Sequence, residues 1–155
     1  MLTRDRTHVG VIGGAECDAE TAGLAERLGR VIANRGAVLV CGGRTGVMAA
    51  ACRGARAAGG VTVGILPGAD RRNANPDVDI AIATGLGEAR NLAIVRTADV
   101  LIAVDGSHGT LSEIGFALKM GKRVIGLQTW DVAGVEPAGG EDQALDMALG
   151  PGSAG

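Results

Sequence analysis

The chain has 155 residues, a net charge of −2 and 27 glycines, with one Phe, one Trp and no Tyr. This length suits one domain with its own core, and the lack of a basic tract or an aromatic stacking platform argues against nucleic-acid binding. No apolar run reaches the ~20 residues of a membrane span, and the opening Met1-Leu-Thr-Arg-Asp-Arg-Thr7 lacks the apolar stretch of a signal peptide.

Strand-like and helix-like segments alternate along the chain. His8–Ile12 is a short β-rich run. Ala19–Asn34 carries Leu24, Leu28, Val31 and Ile32 at helical spacing, with Gly36 placed to end the helix. Ala37–Cys41 reads as the second strand and ends in Gly42-Gly43. Thr45–Ala58 is an Ala-rich helix stopped by Gly59-Gly60, with small residues that allow close packing on a sheet. Val61–Leu66 is the third strand, closed by Pro67-Gly68. The polar Ala69–Val78 stretch, with Arg71, Arg72, Asn73, Asn75 and Pro76, is expected to be a loop near the site or a lid. Asp79–Ala83 reads as a strand, Gly87–Thr97 as a helix, Asp99–Val104 as a strand and Thr110–Met120 as a helix. Arg123–Leu127 is the last clear strand. Trp130–Gly140 reads as a loop and Glu141–Leu149 as a short final helix.

This alternation, with continuous apolar strands, predicts an α/β fold: a Rossmann-like three-layer αβα sandwich around a mostly parallel sheet of about six or seven strands. One domain is expected over 1–155, with 1–7 and 150–155 as frayed tails. Ligands of such folds bind outside the carboxyl ends of the strands, near a topological switch point. Three glycine-rich turns should meet there: Gly13-Gly14, Gly42-Gly43-Arg44-Thr45-Gly46 and Gly106–Thr110. Cys17, Cys41 and Cys52 are odd in number and widely spaced, which suits a reducing cytoplasm better than a disulfide framework or a zinc site. No metal site is expected.

The turn Asp105-Gly-Ser-His-Gly-Thr-Leu-Ser-Glu113 is the most informative segment. It runs from the apolar strand Val100–Val104 into a helix, so free backbone N–H groups and a helix N-terminus should gather at one spot that favours a phosphate. The same residues fit a plain β–α turn, in which Thr110-Leu-Ser-Glu113 forms a capping box with Thr110 as the cap. Arg90 and Arg44 each have two readings: a solvated residue paired with a nearby acid, or a guanidinium at the strand-end rim facing phosphate or ribose. His108 is a loop residue or an anion donor. Cys41 reads as a small buried hydrophobe and His8 as structural. The first turn is not a clean G-x-G-x-x-G, Cys41 replaces an acid at the end of the second strand, and no G-x-x-x-x-G-K-[ST] exists, so neither a dinucleotide cofactor nor a P-loop is expected.

Gly42-Gly43-x-x-Gly46-Val-Met48, Gly87-Glu-Ala-Arg90-Asn91 and Gly106-x-x-Gly109-Thr110-x-x-Glu113, in this order, resemble the LOG (Lonely Guy) proteins and their relatives. Val40-Cys-Gly-Gly43, Gly64-Ile-Leu-Pro-Gly68, Asn75-Pro76 and Gly85–Asn91 look like the branch that includes molybdenum cofactor carrier proteins. The resemblance runs from about His8 to Leu127 and has two implications. LOG enzymes cleave the N-glycosidic bond of cytokinin nucleoside 5′-monophosphates and often AMP. Their Pro-Gly-Gly-x-Gly-Thr-x-x-Glu turn binds the phosphate, and its Glu acts at the ribose with an Arg. Glu113 and Arg90 fall on those catalytic positions. In carrier-like relatives the same groove holds molybdenum cofactor, a phosphate-bearing pterin.

Three departures bear on hydrolysis more than on binding: Asp105 stands for Pro, Ser107 for the second Gly, and Asn91 for the Lys that usually follows the Arg. The reading therefore favours a cytoplasmic binding protein, a carrier or sensor, for a purine nucleotide such as AMP or for molybdenum cofactor. No cofactor is required. Ligand contacts are expected from Gly42, Gly43, Arg44, Gly46, Arg90, Gly106, Ser107, His108, Gly109 and Thr110. The alternative is a nucleoside 5′-monophosphate phosphoribohydrolase using Glu113 and Arg90. The resemblance also implies a homodimer or homotetramer. Relatives often carry a lysine decarboxylase label, which this chain does not fit. Its only lysines, Lys119 and Lys122, lie at the helix end away from the expected site, where a Schiff base would be useless.

Overall fold

The computed structural model describes residues 1–151; of the tail expected at 150–155, residues 152–155 lie outside the described residues. The elements follow the alternation of the sequence: β1 (His8–Gly13), α1 (Ala19–Asn34), β2 (Val38–Cys41), α2 (Val47–Ala57), β3 (Thr62–Leu66), β4 (Ile80–Ala83), α3 (Arg90–Thr97), β5 (Val100–Val104), α4 (His108–Lys119), β6 (Arg123–Leu127), β7 (Val135–Pro137) and α5 (Glu141–Leu149). The seven strands form one sheet in the order β4-β3-β2-β1-β5-β6-β7, with every pair parallel. This is the expected Rossmann-like α/β architecture.

Period-two alternation along the strands sorts the core into two faces. Val9, Val11, Leu39, Cys41, Ile102 and Val104 pack with α1, α2 and α5. Ile12, Leu101, Ala103 and Val124 pack under α3 and α4, and Val38, Val40 and Ile65 pack under Ile94. The chain winds outward from β1 to β4, then crosses back to place β5 on the other side of β1. The turns after β1 and β5 therefore diverge at the switch point, which leaves a crevice between them.

Several local outcomes correct the sequence reading. The small residues of α2 serve helix–helix packing as well as the sheet. A Cβ on Gly29 would sit 1.9 Å from the Ala51 carbonyl oxygen, and one on Gly54 would sit 1.8 Å from that of Glu26, so the α1 and α2 backbones touch. Trp130–Gly140 is not wholly loop, because Val135–Pro137 adds a parallel edge strand to β6. Three residues ending in Pro are too short to show a strand period, and only a sheet edge tolerates the missing N–H. Gly87–Thr97 divides into a 3₁₀ turn, Gly87–Ala89, and α3. In the 69–78 stretch a 3₁₀ turn forms at Arg71–Asn73. Asn75 ties the stretch down: its N–H donates to the Gly43 carbonyl at 2.9 Å and its Nδ2 to the Arg44 carbonyl at 2.8 Å.

Candidate functional site

A cavity of about 310 Å³ opens at the carboxyl ends of β1, β2, β3 and β5. Its wall comprises Val11–Ala15, Gly42, Met48, Pro67, Glu88, Arg90, Asn91, Ile94, Ser107, Gly109, Thr110 and Glu113. Residues from all three glycine-rich turns thus converge. They do so because Gly46, at φ 65, lets its turn lie against the first one: a Cβ there would be 2.3 Å from the Gly14 carbonyl oxygen. The Val47 N–H donates to that same oxygen at 3.0 Å.

The turn after β5 is built differently from the capping box read in the sequence. Helix α4 begins at His108, and its cap is Ser107, whose Oγ accepts from the Thr110 N–H at 3.2 Å and lies 2.9 Å from the Thr110 hydroxyl. Leu111 N–H bonds the Ser107 carbonyl. Among the described residues, the His108 and Gly109 N–H groups are left without backbone or side-chain acceptors, so this helix end has two donors free to meet an anion. Because Ser107 does the capping, Glu113 is released from it. Its carboxylate instead lines the cavity one turn deeper.

Trp130 braces the turn from outside. Its Nε1 donates to the Ser107 carbonyl at 3.0 Å, its ring stacks on His108 with centroids 6.0 Å apart, and a Cβ on Gly106 would meet the indole at 2.9 Å. No periodicity marks this residue; the only sequence signal was that it is the chain's one Trp. Asp105 adopts φ 58, a left-handed conformation that Asp tolerates better than most residues, and its N–H bonds the Leu127 carbonyl.

Arg90 opens α3 and turns its guanidinium across the strand ends. Nη1 donates to the Gly42 carbonyl at 2.7 Å and the Ile65 carbonyl at 2.6 Å, while Nε donates to Asn91 Oδ1 at 2.7 Å. Gly42 makes this possible, since a Cβ there would come within 2.8 Å of Nη1. The guanidinium is therefore held in one orientation with its Nη2 edge uncommitted among the described residues. Burial pushes the Arg90 pKa down, and the Glu113 charge pulls it back up. Burial pushes the Glu113 carboxyl up to about 7, against the lowering pull of Arg90. The two groups line the same cavity without forming a contact ion pair among the described residues.

Of the residues expected at the site, Gly42, Arg90, Ser107, Gly109, Thr110 and Glu113 line the cavity. Gly43, Arg44, Gly46, Gly106 and His108 stand behind or beside it. Gly43, at φ 73, packs against Gly64, and its N–H donates to Cys41 Sγ. Glu88, Met48 and Pro67 line the cavity without having been singled out; their motifs, Gly87–Asn91, Gly42–Met48 and Gly64–Gly68, were the available signal. Arg71 and Arg72 border a separate surface hollow with Asp70, and Arg72 pairs with Asp70 at 3.0 Å. Lys122 is committed to the Ala98 carbonyl at 2.7 Å, and neither lysine reaches the cavity.

A model of the SLOG cluster4 family matches residues 6–149. The chain belongs to that family. Among relatives of this SLOG protein, an uncharacterized protein of Archaeoglobus fulgidus is 51% identical over 120 residues, covering 77% of this chain and 79% of the relative. The cytokinin riboside 5′-monophosphate phosphoribohydrolase of Mycobacterium tuberculosis is 35% identical over 116 residues; the match covers 73% of this chain and 62% of that enzyme. Among solved structures, the molybdenum cofactor binding protein of Rippkaea orientalis superposes with a TM-score of 0.88 at 39% identity, covering 92% of this chain and 95% of that one. A molybdenum cofactor carrier protein of Chlamydomonas reinhardtii gives a TM-score of 0.85 at 36% identity, covering 92% of this chain and 96% of that one. The resemblance to LOG proteins and cofactor carriers holds at the level of the family and the fold.

Proposed function

We propose that this protein is a single-domain, cytoplasmic binding protein, a carrier or sensor, for a phosphorylated small molecule: molybdenum cofactor or a purine nucleotide such as AMP. The observation that carries the reading is the pair of free N–H groups at His108 and Gly109, on a turn whose Ser107, Gly109 and Thr110 line the same cavity as the fixed Arg90 guanidinium. A phosphate on the turn would draw charge-assisted hydrogen bonds from the helix end, and the ring system would lie along Gly13-Gly14 and Met48. The match to cofactor-binding proteins over nearly their whole length supports a carrier role more than the partial match to the mycobacterial enzyme supports hydrolysis.

A second reading, phosphoribohydrolase, is favoured by one observation: Glu113 lines the same cavity as Arg90 with no hydrogen-bond partner among the described residues. There it would steer water or polarise the ribose. Native mass spectrometry of freshly purified protein, then incubation with AMP and chromatography for adenine, separates the two. A retained pterin, or AMP bound and left intact, supports the carrier. Adenine release abolished in Glu113→Gln supports the enzyme. No retained pterin and no AMP binding would overturn both.

A homo-oligomer is part of the proposal. Ile80 and Ile82 of edge strand β4 are 48% and 45% exposed on the sheet face that α3 and α4 cover elsewhere, and Phe116 of α4 is 42% exposed. Their side is set by register, since Ile80 pairs Val63 and Ile82 pairs Ile65. A second copy would cover this apolar surface. No helix among the described residues is long and apolar enough to cross a membrane, and the net charge of −2 speaks against a nucleic-acid partner.

A further inference from the structure

Cys41 and Cys52 lie face to face behind the cavity wall, with their Sγ atoms 3.5 Å apart. Both are fully buried. Cys41 ends β2 and Cys52 sits on the face of α2 that packs against it. Contact between two thiols is common enough in cores; three further features make this pair chemically active. The Gly43 N–H donates to Cys41 Sγ at 3.3 Å. Arg90, bonded to the next residue's carbonyl, brings a positive charge close to the same sulfur. The Cys52 thiol and these two groups hold Cys41 below the usual thiol range, while its bond to Cys41 and its burial push Cys52 well above it. Cys41 is thus the more acidic of the two thiols. Gly42, the next residue after Cys41, and Met48, one turn before Cys52 on α2, line the cavity, so the buried pair lies directly behind its wall.

We infer that Cys41 and Cys52 form an oxidative modification site, at which hydrogen peroxide entering through the cavity makes an intramolecular disulfide. Cys41 gives up its proton, its sulfur attacks one peroxide oxygen and the O–O bond breaks. The departing hydroxide takes a proton to become water, which leaves Cys41 as a sulfenic acid. Cys52 gives up its proton, its sulfur attacks the Cys41 sulfur, and the S–O bond breaks with release of a second water. Two thiols and one peroxide thus yield one disulfide and two waters.

Bond formation brings the sulfurs from 3.5 Å to about 2.05 Å. Helix α2 is held by the close backbone approach of Ala51 to Gly29 and of Gly54 to Glu26 on α1. Cys41 precedes two glycines and is the partner that moves. The Gly43 N–H then loses its sulfur acceptor, and the 42–46 turn at the cavity rim shifts with it.

The test treats reduced protein with hydrogen peroxide, alkylates remaining thiols under denaturing conditions, and maps the peptides by mass. The expected result is a chain lighter by two hydrogens, with the Cys41 and Cys52 peptides joined and Cys17 alkylated. Faster amide exchange is expected across 42–46. In Cys52→Ala, Cys41 should stop at a sulfenic acid trapped by dimedone. Cys17 is the internal reference, since burial raises its pKa and it has no sulfur neighbour within bonding distance. Full alkylation of Cys41 and Cys52 after Cys17 has been oxidised would overturn the proposal, as would crosslinks that run only through Cys17. Should Cys52→Ala fail to fold, peptide mapping of the unsubstituted chain decides alone.

Discussion

Replacing Glu113 by Gln should stabilise the protein at alkaline pH and leave it nearly unchanged in mild acid. The carboxyl sits half-buried in the cavity wall and is pushed up to about 7 from an ordinary value of 4.5, with burial as the main cause. A raised acid binds its proton more tightly in the folded state than in the unfolded one. Stability therefore falls as pH rises between 4.5 and about 7, and the loss is complete above that window. The gap of about 2.5 pH units, at ~1.36 kcal/mol per unit, sets an upper bound of ~3.4 kcal/mol on the cost of the buried charge. Gln keeps the shape and removes the charge. Urea unfolding followed by circular dichroism at about pH 5 and about pH 8.5 measures it. The variant should exceed the parent by ~2–3 kcal/mol at the higher pH and by less than ~1 kcal/mol at the lower. Parallel pH profiles for the two proteins, or a variant weaker at the higher pH, would refute the burial argument. They would show that Arg90, not desolvation, governs this carboxyl.

Three further outcomes follow from the site's construction. Gly109→Asp should fold normally, since a Cβ there meets nothing nearer than Ser107 Oγ at 3.7 Å. It should nevertheless lose phosphate-dependent ligand binding by at least ~10-fold, because the new carboxylate faces the anion turn; calorimetry with AMP reads both facts, and undiminished affinity in the folded variant would sink the phosphate assignment. Arg90→Ala leaves the Gly42 and Ile65 carbonyls without their donor, for an expected loss of ~2–4 kcal/mol in chemical denaturation. Arg90→Lys should recover little of this, because an ammonium cannot reproduce the fixed fork. Ser107→Ala should cost ~1 kcal/mol through loss of the α4 cap, while Ser107→Thr keeps it; equal unfolding midpoints for both variants would show that the Ser107 hydroxyl does not hold this helix end.

The alternation of apolar runs with helical periodicity determined the α/β class, the parallel sheet and most element boundaries, because these depend on patterns within about ten residues. The convergence of Gly13-Gly14, Gly42–Gly46 and Gly106–Thr110 was also legible, since strand ends in such a sheet must share one edge. Which residue capped α4 was not: the spacing Thr110-x-x-Glu113 pointed to Thr110, and only the backbone path fixed Ser107, the choice that frees Glu113. Strand β7 stayed hidden because three edge residues carry no period of their own. Trp130 against Ser107, Arg90 across Gly42 and Ile65, and Cys41 against Cys52 join parts of the chain whose meeting no local pattern records. Tertiary structure decided these, since each depends on where the crossover after β4 returns β5 beside β1 and on how closely α2 seats against β2.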